Sequence, residues 1–139
     1  MAQVDKSREK PFNDGGSLVA SYSKNIDVTS TDVYVTILDI DSRAIRESVF
    51  TIFNTHATNS IDYKIWANPD KYPITDITGT DDTDWDNGWT IIKAETALAA
   101  SVTPVIETLS NPYAKVVVRV KATSAGNQGV VRIWHRGEN

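Results

Sequence analysis

The stretch from Ser48 to Ala67 limits the possible folds more than any other part of the chain. In its second half the apolar residues Ile61, Tyr63, Ile65 and Ala67 alternate with Asp62, Lys64, Trp66 and Asn68. A period of two marks a strand that turns one face to a core. Its first half, Val49 to Phe53, is nearly continuous in apolar and β-branched residues, the pattern of a strand covered on both sides. Between the halves lies Asn54-Thr-His-Ala-Thr-Asn-Ser60, whose Asn, Thr and Ser side chains can bond their own backbone and close a turn. The expectation is a β-hairpin that supplies two central strands.

The remaining segments carry the same kind of signal. Val33 to Ile40 is rich in β-branched and aromatic residues and reads as a strand, ended by turn formers at Asp39 to Arg43. Trp89 to Ala94 reads as another strand, and Glu95 to Ser101 as a short connection. Val102 to Leu109 alternates, and Pro104 assigns it to a sheet edge, because proline has no amide to give a ladder. Lys115 to Ala122 is the cleanest strand, with Val116, Val118, Val120 and Ala122 inward and Lys115, Arg119 and Lys121 outward. Val130 to Trp134 closes the series and leaves a polar tail from His135.

Seven to eight short strands without a helix predict an all-β fold, an antiparallel β-sandwich of jelly-roll-like form. An open sheet of this size would leave an apolar face wet, which favours two packed sheets; a closed barrel is the alternative. The length of 139 residues suits one domain. Residues 1–17 are polar and charged, too poor in apolar surface to order themselves, and are expected to form a flexible arm before a domain spanning 18–139. Phe12, Leu18, Val19 and Tyr22 are the residues by which such an arm could grip a neighbour.

Charge and composition exclude several function classes. A net charge of −4 argues against duplex nucleic acid and anionic membrane as partners, both of which need clustered Lys and Arg. The sequence holds no cysteine, so disulfides and thiolate metal sites are not available to it. The first ten residues lack an apolar export segment, so the chain is expected to stay in the cytosol unless it leaves as part of a particle.

The irregular stretch from Asn68 to Gly88 is acidic and places Asp82, Asp84 and Asp86 at alternate positions. A helix–loop–helix calcium loop needs a glycine sixth and a bidentate glutamate twelfth, and those positions hold Asn87 and Lys93. A solvated turn cluster is the simpler reading, a non-standard surface calcium site the other. His56 in a turn and His135 near the terminus are both expected to be solvated, and no nucleophile elbow, metal-binding helix motif or phosphate loop is present. The sequence therefore calls for no enzyme activity and no cofactor. Trp66 on the polar side of its strand, with Trp85 and Trp89 around Asp86-Asn-Gly88, could anchor a protein interface or stack on sugar rings. At least one of Trp89 and Trp134 is expected to pack inside.

Two segments carry a family resemblance. Phe50 to Ala67, and Thr96 to Pro104 followed by Asn111 to Ile133, are similar to strand-and-turn runs of small β-sandwich proteins in the structural modules of tailed phages. The resemblance implies a virion component of the capsid-decorating or adornment type, trimeric, bound to the major capsid or another virion protein, and assembled in the host cytoplasm. It brings no catalytic residues. Under that reading the contact residues are Phe12, Trp66, Tyr72, Trp85 and Trp89, with Trp66 foremost. The alternative is a carbohydrate-binding module or adhesin that uses Trp85, Trp89 and the 68–88 loop, with or without calcium.

Overall fold

A computed structural model describes residues 20–73, 77, 87–101, 103–110 and 113–139. Eight strands follow one another: β1 (Ala20–Thr29), β2 (Val35–Asp41), β3 (Glu47–Asn54), β4 (Ile61–Asn68), β5 (Thr90–Leu98), β6 (Val105–Ser110), β7 (Lys115–Ala122) and β8 (Val130–Glu138). They form two four-stranded sheets, β1-β8-β3-β6 and β2-β7-β4-β5, and every pairing is antiparallel. Strand β1 pairs with β8, β2 with β7, β3 with β6 and β4 with β5, while β3–β8 and β4–β7 complete the sheets. An antiparallel ribbon folded over on itself gives this nested order, and the fold is a jelly-roll β-sandwich. No helix occurs among the described residues.

The seam between the layers is apolar. Phe50, Ile52, Val131 and Ile133 of the first sheet meet Ile61, Tyr63, Ile65, Val116, Val118 and Val120 of the second. These are the faces that alternation assigned inward on β4 and β7. Each side chain fully buried here contributes about 1.5–3 kcal/mol relative to exposure.

The hairpin expected across Ser48–Ala67 does not form. Strand β3 belongs to the first sheet and β4 to the second, so residues 54–60 carry the chain across the sandwich. Asn54 makes that crossing possible. Its side chain is fully buried, and its amide donates to the carbonyls of Asn59 (2.8 Å) and Leu98 (3.2 Å) while its oxygen accepts the His56 N–H (3.1 Å). The Nδ1 of His56 accepts the N–H groups of Thr58 and Asn59 at 3.0 and 2.9 Å. With its polar groups satisfied locally, the loop can leave one sheet without pairing back onto it.

Further boundaries differ from the sequence reading: β2 begins at Val35 and β6 at Val105, later than the Val33 and Val102 expected. Ala20–Thr29 is a strand, although its alternation of Ser, Lys and Asn carries little apolar signal. Strand β5 runs on to Leu98 through the segment read as a connection. Strand β8 continues to Glu138, so Trp134 lies in its middle and His135 is not in a tail. The arm expected over residues 1–17 lies outside the described residues.

The layering sets up a stability test. Ile133→Ala, at a fully buried seam position, is expected to lower unfolding free energy by about 2–5 kcal/mol in urea titrations. Ile106→Ala, on an exposed face, should change it by no more than about 0.5 kcal/mol.

Candidate functional site

The two outer faces of the sandwich are unlike. On the second sheet, the β4 residues Lys64 and Trp66 lie opposite Arg119 and Val117 of β7, directed away from the seam. Chain from the long β4–β5 connection covers Trp66 and Val117. Trp66, Ile77, Trp89 and Val117 form a small second core in which Trp66 is 1% exposed. Asn68 secures both ends of that connection: its side chain accepts the Asp70 N–H at 2.9 Å and donates to the Asn87 carbonyl at 3.0 Å. Gly88 follows with φ +86°, and a Cβ there would lie 3.0 Å from Asn68 Oδ1, so glycine is required. Beside the tryptophans, Lys64 Nζ sits 4.8 Å from the Tyr34 ring centre, Arg119 donates to the Tyr34 carbonyl at 3.0 Å, and the Tyr34 hydroxyl donates to Glu95 at 2.6 Å. Lys64 and Arg119 are buried there, so the face expected to be solvated carries packed cations instead.

The outer face of the first sheet has no such cover among the described residues. Strand register places Tyr22, Arg136, Val49 and Thr108 in one row, and Lys24, Trp134, Thr51 and Ile106 in the next. Tyr22, Val49, Ile106 and Trp134 are all exposed, Tyr22 by 72% and Ile106 by 66%. A groove of about 530 Å³ opens between Tyr22, Lys24, Val49, Thr51, Trp134 and Arg136. Both arginines of this outer face are already engaged, while Lys24 is exposed. Arg136 pairs with Glu138 and lies 5.9 Å from the Tyr22 ring, and Arg132 binds Asp27 at 2.7 Å. An exposed apolar patch carrying Trp, Tyr and Arg on a rigid sheet has the composition of an interface.

Beneath the groove, His135 faces the seam. It is 2% exposed, its ring centre is 4.8 Å from that of Phe50, and Nε2 lies 3.1 Å from the Ser48 hydroxyl. Nδ1 has no hydrogen-bond partner. Burial holds its pKa below the usual histidine value. This corrects the expectation of a solvated terminal histidine: β8 extends past it, and its register with Phe50 turns it inward. At the open end of the seam, burial and then the hydrogen bond to Glu107 push the Tyr63 hydroxyl well above the usual tyrosine range.

Of the expected contact residues, Trp66 and Trp89 come together but inside the chain, 1% and 2% exposed. Trp66 does point away from the seam, as alternation indicated, but distant residues cover it. Tyr72 is 76% exposed, with Lys71 Nζ 5.8 Å from its ring centre. Phe12 and Trp85 lie outside the described residues, as do Asp82, Asp84 and Asp86. The expectation that one of Trp89 and Trp134 packs inside falls to Trp89. Sequence reasoning missed Trp134, Val49 and Ile106 as surface residues; the signal was there in β8, where Arg132, Trp134 and Arg136 alternate with Val131, Ile133 and His135. Among the described residues no cluster of three or more His, Asp or Glu could hold a metal, and no helix is long and apolar enough to cross a membrane.

The described chain is thus a jelly-roll sandwich with one covered and one open face. No family model matches the sequence, and no curated protein matches it. Among solved structures it is similar to a chain from work reporting that Bacillus endospore appendages form a novel family of disulfide-linked pili. The TM-score is 0.56 at 13% identity, over 95% of this chain and 97% of that one. That likeness establishes shared fold, and the present sequence has no cysteine with which to form a disulfide.

The buried histidine generates a pH prediction. Its folded-state pKa lies below the unfolded value of 6.5, so its stabilisation is complete above that pH and is lost as pH falls below it. Urea midpoints should drop between about pH 7.5 and about pH 5.5, and His135→Gln should flatten that slope. Asp41 and Asp32, both held below the usual carboxylate range by hydrogen bonds, weaken the fold only in stronger acid.

Proposed function

We propose that the protein is a structural subunit that assembles through the outer face of the first sheet, binding and not catalysing. The observation that carries this reading is the apolar patch of Tyr22, Val49, Trp134 and Ile106, which crosses all four strands of one sheet and, among the described residues, is left open while the opposite face is covered. Its arginines are each met by a carboxylate, which suits close packing against another protein better than capture of a polyanion. The specific form we favour is a decoration subunit on a phage-like shell, supported by the sequence resemblance over residues 50–67, 96–104 and 111–133. A trimer, which the resemblance implies, is one assembly such a face can build.

A second structural reading, a subunit of a pilus-like fibre, is favoured by the fold similarity to the endospore appendage chain across nearly its whole length. The carbohydrate reading loses support, because Trp89 is buried and offers no ring to a sugar.

Light scattering of the purified protein should give an oligomer. Trp134→Glu and Val49→Glu should each raise its dissociation constant roughly 30-fold or more, the cost of an interface anchor worth about 2 kcal/mol, without altering circular dichroism. Electron microscopy separates the two forms: fibres of the protein alone support the pilus-like reading, and binding only to capsids supports decoration. A wild-type monomer at high concentration would falsify both.

A further inference from the structure

Sheet edges expose unpaired N–H and C=O groups, and folded proteins guard them with bulges, charges or prolines. Three of the four edges in this sandwich are broken that way. Strand β1 is bulged between Asn25 and Val28 with Asp27 at φ 60°, β2 between Thr36 and Leu38, and β5 at two points opposite Tyr63–Trp66. Strand β6 is different, since its proline, Pro104, lies just before the paired residues and not among them. Val105 to Ser110 runs in unbroken register against β3, and no described strand pairs with its other side.

Its one charge does not guard it. Glu107 turns toward the seam, where it accepts a hydrogen bond from the Tyr63 hydroxyl and pairs with Lys93 at 3.3 Å. What β6 presents outward is Ile106, Thr108 and Ser110, with Ile106 in the same cross-strand row as Thr51 and Trp134. The apolar face therefore runs to the edge of the sheet and stops there.

From this regular edge, whose one carboxylate is turned inward, we infer that β6 pairs with β6 of a second copy, antiparallel about a two-fold axis, so that two four-stranded sheets become one continuous sheet. The second copy is the occupant because such pairing extends the open face across the axis and joins the two apolar patches. A cross-strand threonine pair sets the register: Thr108 stands opposite Thr108 of the partner subunit, and Glu107, held inward by Tyr63 and Lys93, stands opposite the partner's Leu109. The inference rests on self-assembly as proposed above and adds the strand through which copies join. If a trimer also forms, this contact links one trimer to the next.

The 139 residues contain no cysteine, so Thr108→Cys introduces a single reporter. Cross-strand Cβ atoms at facing positions are about 4.5–5.5 Å apart, close enough to oxidise with small adjustments. Under mild oxidation Thr108→Cys should give a covalent dimer and Ser124→Cys, in the β7–β8 turn, should not. Adding Ile106→Lys should cut the yield at least tenfold. Amide exchange supplies a second reading on the unmodified chain: residues 105–110 should become more protected as concentration rises, and Ile106→Lys should abolish the change. Equal crosslinking at 108 and 124 with concentration-independent exchange overturns the edge contact. If the wild type still associates and Trp134→Glu still disrupts it, the assembly reading survives that result. If the wild type is monomeric, both are lost.

Discussion

The seam between the two sheets is the constraint from which the other features follow. Val116, Val118 and Val120 on β7 and Ile61, Tyr63 and Ile65 on β4 close over Phe50, Ile52, Val131 and Ile133. Because side chains alternate along a strand, committing these residues inward commits their neighbours outward. Trp66 and Trp134 are both outward for that reason. One layer of backbone lies between each and the seam, and whatever covers them must come from elsewhere in the chain or from another molecule.

The second sheet solves this within the chain. Trp89 and Ile77 fold back over Trp66 and Val117, and the connection that brings them is pinned at Asn68. A buried asparagine that binds both flanks of a loop fixes where the loop leaves and returns. Asn54 does the same for the crossing between sheets. These two residues, both fully buried, do more for the path of the chain than their polar character suggests, because each satisfies backbone groups that would otherwise be stranded at the ends of strands.

This division explains what could be read from sequence. The inward faces of β4 and β7 were legible because periodicity reports direction, and Ile61 to Ala67 and Val116 to Ala122 kept it without interruption. The hairpin was misread because turn-forming residues report that the chain bends, not which strand the next one pairs with. Residues 54–60 are long enough to cross the roughly 10 Å between sheets, and only the β3–β8 and β4–β7 ladders decide that they do. Trp66 was read correctly in direction and wrongly in exposure, since its cover comes from Trp89, a contact no local pattern encodes. His135 was misplaced because its strand runs beyond the last strongly apolar residue, and Gly137, which leaves room beside Ile45 and the His135 ring, carries no strand signal.

The first sheet solves the same problem differently. Its outward side chains carry a mixture of rings, methyls and arginines whose charges are met by Asp27 and Glu138 on the same face. Local neutralisation has a consequence for recognition. A face that presented uncompensated cations would attract anions at long range and resist contact with its own copy. Once the arginines are paired, their planar groups add contact area beside Tyr22 with little net field. At β6 the same thing happens on the other side of the sheet, where Glu107 is drawn inward to Tyr63 and Lys93. On this face the arginines are paired, and at the β6 edge the carboxylate is turned inward, while the bulged edges of the second sheet and its covered face are not suited to pairing. The sandwich is one-sided in its chemistry, and this one-sidedness is why contact through the first sheet is the form of association proposed for it.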